Sequence, residues 1–228
     1  MAQLETVVGS LLQGYQQLVP STVLTSAELL NEYRANPDGE LERQLKQHWF
    51  WTSNFTIYKL ESGREVVYLG SKTANPIFAN IGEAATQLGI KKDYLPSRTE
   101  IQAALASGST KKFLVSALGL KEYNGEFSYF DVDPVHYDSL NPSPRAFSGI
   151  VFGTGKDFSE NMLMLARHGK EKVRVYVLNP KYLRAHLRAG EDIARASFFY
   201  YFGKMPVFNS SARDVNNPHS AMRGKPKA

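Results

Sequence analysis

Between Asp131 and Asp138 the chain reads DVDPVHYD, which places Asp131, Asp133 and His136 within six residues. On a strand, alternate positions share a side, so the two carboxylates point together. An imidazole from the following loop completes an oxygen and nitrogen set suited to a hard divalent cation. Such an ion can activate water at a phosphodiester, which makes a metal-dependent phosphodiester hydrolase one expectation, and the one that calls for a divalent metal. Acidic residues after strands are also common turn formers, and Pro134 fits that use.

Other catalytic patterns fail on inspection. GTGKD, residues 153–157, stands before a helix, where backbone amides can hold a phosphate, but no glycine stands five residues before Gly155. Asp157 sits where a phosphate loop carries a hydroxyl and caps its own helix instead. Ser148 in AFSGI lacks the first glycine of a nucleophile elbow. His48, His136, His168, His186 and His219 are scattered, with no pair at ligand spacing on one helix. IGEAATQLGIKKDYL matches the spacing of a helix-turn-helix at Ala85, Gly89 and Leu95, with Lys91 and Lys92 toward phosphates. Pro96 stops the second helix after about one turn, too short to read a groove.

The remaining chemistry lies in NPKYLRAHLRAGEDIARASFFYYFGK. Lys181, Arg184 and Arg188 recur at helical spacing as a cationic stripe, while Leu183 and Leu187 pack on a neighbouring side. Five aromatic residues, 198–202, then run without interruption between Arg195 and Lys204. On a strand, Phe198, Tyr200 and Phe202 point one way and Phe199 and Tyr201 the other. Three uses compete: a strand covered on both faces, a platform on which bases stack, and a surface for a protein partner. A continuous apolar run suits the first best, and nothing in the run separates the other two, while the charge balance favours a polyanionic partner. Residues 151–228 hold fourteen basic and six acidic side chains, a net of +8, whereas the whole chain carries +5.

The elements that must position these groups follow from periodicity. Leu4, Val7, Val8, Leu11, Leu12 and Tyr15 define one apolar helix face. Thr25 with Glu28 forms a capping box for a second helix through Leu29, Leu30 and Tyr33, and a third runs from about Asp38 to His48. FTIYKL and EVVYLG flank a short turn at Ser62 and Gly63 as a hairpin. Asn80 with Glu83 and Ser97 with Glu100 cap two more helices. KEYNGEFSYFDV reads as a second hairpin turning at Asn124 and Gly125 in a type I′ geometry. DPVHYDSLNPSPRAF reads as a loop and a boundary. FSGIVFG, a helix from Asp157 and KVRVYVL then spell a strand, helix and strand.

The fold expected is α+β, with a helical N-terminal segment, a mainly antiparallel central sheet and a C-terminal βαβ-like unit. The expected organisation is 1–53 helical, 54–140 antiparallel α+β, 141–208 basic and βαβ-like, and 209–228 a polar basic tail, sharing one core. With 228 residues and 43% hydrophobic content, the chain can bury a sizeable core. It has no cysteine, so disulfides and thiolate chemistry are excluded. The N-terminus lacks a signal-peptide pattern and no stretch is long enough to span a bilayer, so a cytoplasmic, bacterial-type protein without a membrane partner is expected.

The function expected is a non-catalytic nucleic-acid-binding protein or subunit, with DNA or RNA as partner. Lys181, Arg184, Arg188, Arg195 and Lys204 would meet phosphates, and Tyr200 and Tyr201 would stack on bases. The alternatives are the hydrolase built on Asp131, Asp133 and His136, and a structural subunit meeting a protein through residues 198–202. Outside the hydrolase reading no cofactor is expected.

Overall fold

The segment Phe127–Val132 alternates strictly in burial, with Ser128, Phe130 and Val132 inward, which is the pattern of a strand with one side in a core. It belongs to the main sheet of the computed structural model, which describes residues 22–23, 25–35, 49–70, 98–133, 135–168, 172–187, 192–202, 205–212, 220–222 and 224–225. Its strands are β2 (Trp49–Glu61), β3 (Arg64–Gly70), β4 (Thr110–Leu114), β5 (Lys121–Asn124), β6 (Phe127–Val132), β7 (Val173–Leu178), β8 (Ile193–Phe202) and β9 (Met205–Ala212). They lie in the order β4-β3-β2-β8-β9-β7-β6-β5, and β10 (Ser220–Met222) adds to β2 in parallel. Apart from that pair and the parallel pair β7 and β9, neighbours run antiparallel. A separate two-stranded ribbon joins β1 (Thr22–Val23) to β11 (Gly224–Lys225).

The helices are α1 (Ser26–Ala35), α2 (Arg98–Ala106), α3 (Pro142–Phe152), α4 (Gly155–His168) and α5 (Pro180–His186). The main core lies between the sheet's inner side and α1, α3, α4 and α5. Leu29, Leu30, Phe147, Phe152, Met162 and Leu183 meet Tyr58, Val132, Val175, Phe199 and Phe208 there. Burying a side chain of this size contributes about 1.5–3 kcal/mol, which is what holds the layers together.

The α+β class and the mainly antiparallel sheet are as the sequence predicts. So is the capping box: the Thr25 hydroxyl donates to the Glu28 carboxylate at 3.0 Å, and the Glu28 amide donates to that hydroxyl at 3.1 Å. Asn179 opens α5 by accepting from the Lys181 amide at 2.7 Å, with Pro180 in the first turn.

Three details differ. FSGIVF is the end of α3, not a strand, because Pro144, Phe147, Ser148, Val151 and Phe152 fall on one helical face and are all buried. The βαβ-like unit is thereby replaced by two helices and a strand, and the long loop shortens to the turn before Pro142. In the second hairpin the turn falls on Gly125 and Glu126, and Gly125 is not among the glycines with positive φ. The type I′ geometry occurs instead in the first hairpin, where Ser62 has φ 49° and Gly63 φ 74°. The opening helix, the helix of 38–48, the helix from Asn80 and the helix-turn-helix match at Ala85, Gly89 and Leu95 lie outside the described residues.

Candidate functional site

The outer side of the sheet is covered along one half and partly open along the other. Phe55, Ile57, Val66, Ala194, Phe198 and Val207 face outward from β2, β3, β8 and β9 and are buried. Toward the β5 edge the outward residues change character. Strand alternation puts Tyr129 and Asp131 of β6 and Arg174 and Tyr176 of β7 on this side, opposite Phe130, Val132, Val173 and Val175 in the core. Register then aligns them, with Tyr129 opposite Tyr176 and Asp131 opposite Arg174. Asn209 of β9 lies beside Tyr176, and Tyr123 completes the group from the edge strand.

The result is a cluster of tyrosines around a fixed arginine. Ring centroids are 5.2 Å apart for Tyr123 and Tyr176, 5.9 Å for Tyr129 and Tyr176, and 6.3 Å for Tyr123 and Tyr129. The Arg174 guanidinium lies 3.8 Å from the Tyr129 ring centroid, a cation–π arrangement. Its Nε donates to Asp131 Oδ1 at 2.9 Å, while Lys121 Nζ stands 3.4 Å from Oδ2. Tyr200 extends the surface along β8 beside Phe198, at 5.3 Å between centroids. Phe202 at the strand end is 65% exposed and Tyr123 is 52% exposed, so the face reaches solvent at both ends.

The electrostatics keep these groups in their ordinary charge states. Burial pushes the Tyr176 hydroxyl up, against the lowering effect of Arg174, and pushes Tyr200 up to about 12, with Tyr176 and Tyr123 adding to the rise. Burial acts to lower Arg174, but hydrogen bonds to Asp131 and Tyr176 outweigh it, so its pKa rises. The face therefore carries neutral hydroxyls and a permanently charged guanidinium.

The expected site residues are not brought together. Lys181 and Arg184 stand on α5, whose Leu183 and Leu187 pack into the inner core. Lys181 pairs with Glu122 at 2.7 Å, and the Arg184 guanidinium pairs with Glu65. Arg195 is buried on the inner side, with Nη1 donating to the Ala194 carbonyl at 2.8 Å. Tyr200 looks outward, whereas Tyr201 packs against the inner core. Arg188 and Lys204 lie outside the described residues. The described cations are thus buried or paired with local carboxylates on the inner side, while the two tyrosines part to opposite sides of the sheet.

The acidic trio divides as well. The Asp133 carboxylate meets the His136 ring at 2.9 Å, and that contact, aided by the Val135 amide, outweighs the raising effect of burial and holds it below the usual carboxylate range. Asp131 turns instead to Arg174 and Lys121. Among the described residues no group of three or more His, Asp or Glu side chains is placed to hold a metal.

Sequence reasoning missed Tyr123, Tyr129, Arg174, Tyr176 and Asn209. Their signal was present in the strand alternation, since each outward position of KVRVYV and FSYFDV is aromatic or charged. Which strands lie side by side was the missing part.

No model of a known family matches the chain, and no curated protein does. The chain is similar to a solved structure from a study of how the C-type lectin fold accommodates massive sequence variation in Nanoarchaeota. The TM-score is 0.54 with 13% identity, over 89% of this chain and 88% of that one. At that identity the likeness shows the fold alone, and nothing matched is a nucleic-acid-binding protein or a hydrolase. The expectation of a nucleic-acid-binding protein is corrected on this ground, and with it the alternatives of a metal-dependent phosphodiester hydrolase and a structural subunit. The ion-paired or buried cations and the divided acidic trio supply the physical reason. Among the described residues no helix is long and apolar enough to cross a membrane. The sequence supports the α+β class, the comparison a likeness to the C-type lectin fold, and the structure adds the tyrosine face.

Proposed function

We propose that the chain is a recognition module that binds a protein partner through the outer face presented by Tyr123, Tyr129, Arg174 and Tyr200, which the buried Tyr176 ring supports. The observation that carries this is the packing of three tyrosines and an ion-paired arginine on one rigid sheet, partly exposed. Tyrosine gives a large amphipathic contact area with few torsions to freeze, and Tyr and Arg are the residues that most often anchor protein interfaces. The aromatic run contributes Tyr200 and Phe202 to the same side, which keeps part of the partner surface expected at 198–202. The similar solved structure is described as a fold accommodating massive sequence variation. In this chain the inward strand positions hold the core, and the outward positions toward the β5 edge are the partly exposed ones that suit binding.

Site-specific photo-crosslinking in cells tests this. A photoreactive phenylalanine analogue at Tyr123 should capture one discrete protein, and the same residue at Leu163, exposed on α4, should not. Capture of the same set from both positions, or of nothing from position 123, overturns the reading. Tyr123→Ala should weaken binding of the captured protein about tenfold or more, the size of loss expected for an interface anchor.

A further inference from the structure

Among the described residues, cations outnumber anions at the open end of this face. Arg174 and Lys121 both lean on Asp131, so two positive charges share one carboxylate. Glu122, the next acidic residue along β5, turns to Lys181 instead. Arg174 is also held before any partner arrives, because Asp131 fixes its Nε and the Tyr129 ring supports its plane. Its side chain is still 21% exposed, and that of Lys121 is 63% exposed. A pre-organised guanidinium loses little freedom on binding, and its fork matches a carboxylate in geometry. The tyrosine rings around it exclude water from one side, which strengthens a charge-assisted bond formed there.

We propose that this corner reads an acidic side chain of the partner: an aspartate or glutamate enters beside Tyr123 and Tyr176 and pairs with Arg174, with Lys121 at the rim. The inference rests on the tyrosine face being the binding surface and adds the charge that the surface selects. The excess of positive charge is its basis, since a basic side chain in the same place would meet two like charges.

A random peptide library displayed on phage and panned against the full chain supplies the probe. Binders that lose affinity in Tyr123→Ala identify the face, and among these the peptides should be enriched in Asp or Glu next to apolar residues. Their affinity should fall about tenfold in Arg174→Gln and severalfold in Lys121→Glu, an exposed change that leaves folding intact. Panning on the Lys121→Glu chain should reduce the acidic enrichment. Face-directed binders with no acidic bias, or with affinity unchanged in both charge variants, overturn the carboxylate reading and leave the face standing. A library yielding no binders sensitive to Tyr123→Ala overturns both.

Discussion

Gly70 has no side chain because Phe55 occupies the space where one would be. The two residues are direct cross-strand partners in β2 and β3, and a Cβ on Gly70 would stand 2.0 Å from Phe55 Cε1. Phe55 is buried and cannot swing away. Gly70→Ala should therefore destabilise the protein by about 1–3 kcal/mol, the usual range for overpacking a filled site. Thermal unfolding measures it, and an unchanged melting temperature would show that the ring has room to move. Gly63→Ala meets no neighbour but keeps a backbone of φ 74°, so its effect comes through the turn alone. Sequence could mark Gly63 as a turn glycine. It could not mark Gly70, because its partner lies fifteen residues back in the chain and its role is set by strand register.

At the scale of elements, the most legible were those with local chemistry. The α1 capping box needs only Thr25 and Glu28, three residues apart, and it forms as read. Thr25→Ala should cost about 0.5–2 kcal/mol, seen as a lower midpoint in urea. A smaller loss would mean that the packing of Leu29 and Leu30 holds the helix without its cap. The α5 cap at Asn179 is equally local. FSGIVF misled because a short apolar run of that length suits either a strand or a buried helix, and only its packing decides. There Ser148 donates back to the Pro144 carbonyl at 2.7 Å and Asn161 of α4 donates to the Phe152 carbonyl at 2.8 Å. The second bond satisfies a carbonyl at the α3 C-terminus, where Gly153 at φ 95° turns the chain into α4.

At the scale of the whole molecule, alkaline stability reports on the sheet. Burial, together with the Glu61 carboxylate that its hydroxyl meets at 2.6 Å, pushes Tyr68 up to about 12, and burial pushes Tyr200 to the same value. Unfolded, both ionise near their ordinary value of about 10. Between those values the native state keeps protons that the unfolded state has lost, so stability falls as pH rises. The contribution is fully present below about pH 10 and is lost as pH climbs through 12. Urea unfolding from pH 8 upward should show this decline, and replacing both tyrosines by phenylalanine should make it shallower, the raised hydroxyls of Tyr58, Tyr137 and Tyr176 keeping the remainder. An equally steep decline in the double variant would place the alkaline weakness elsewhere.

The amino-acid sequence by itself determined the α+β class, the α1 cap, the first hairpin and the absence of thiol chemistry, because each depends on residues close in the chain or on composition. Tertiary structure alone decided that Asp131 serves Arg174 rather than Asp133 and His136, that Lys181 and Arg184 answer Glu122 and Glu65, and that Tyr200 and Tyr201 part to opposite sides. The β5–β6 hairpin meets β7 through partners about forty to fifty residues apart, and the tyrosine face exists only where their outward sides meet. Charge and aromaticity are properties of residues, but a binding surface is a property of register, which no single stretch of chain contains.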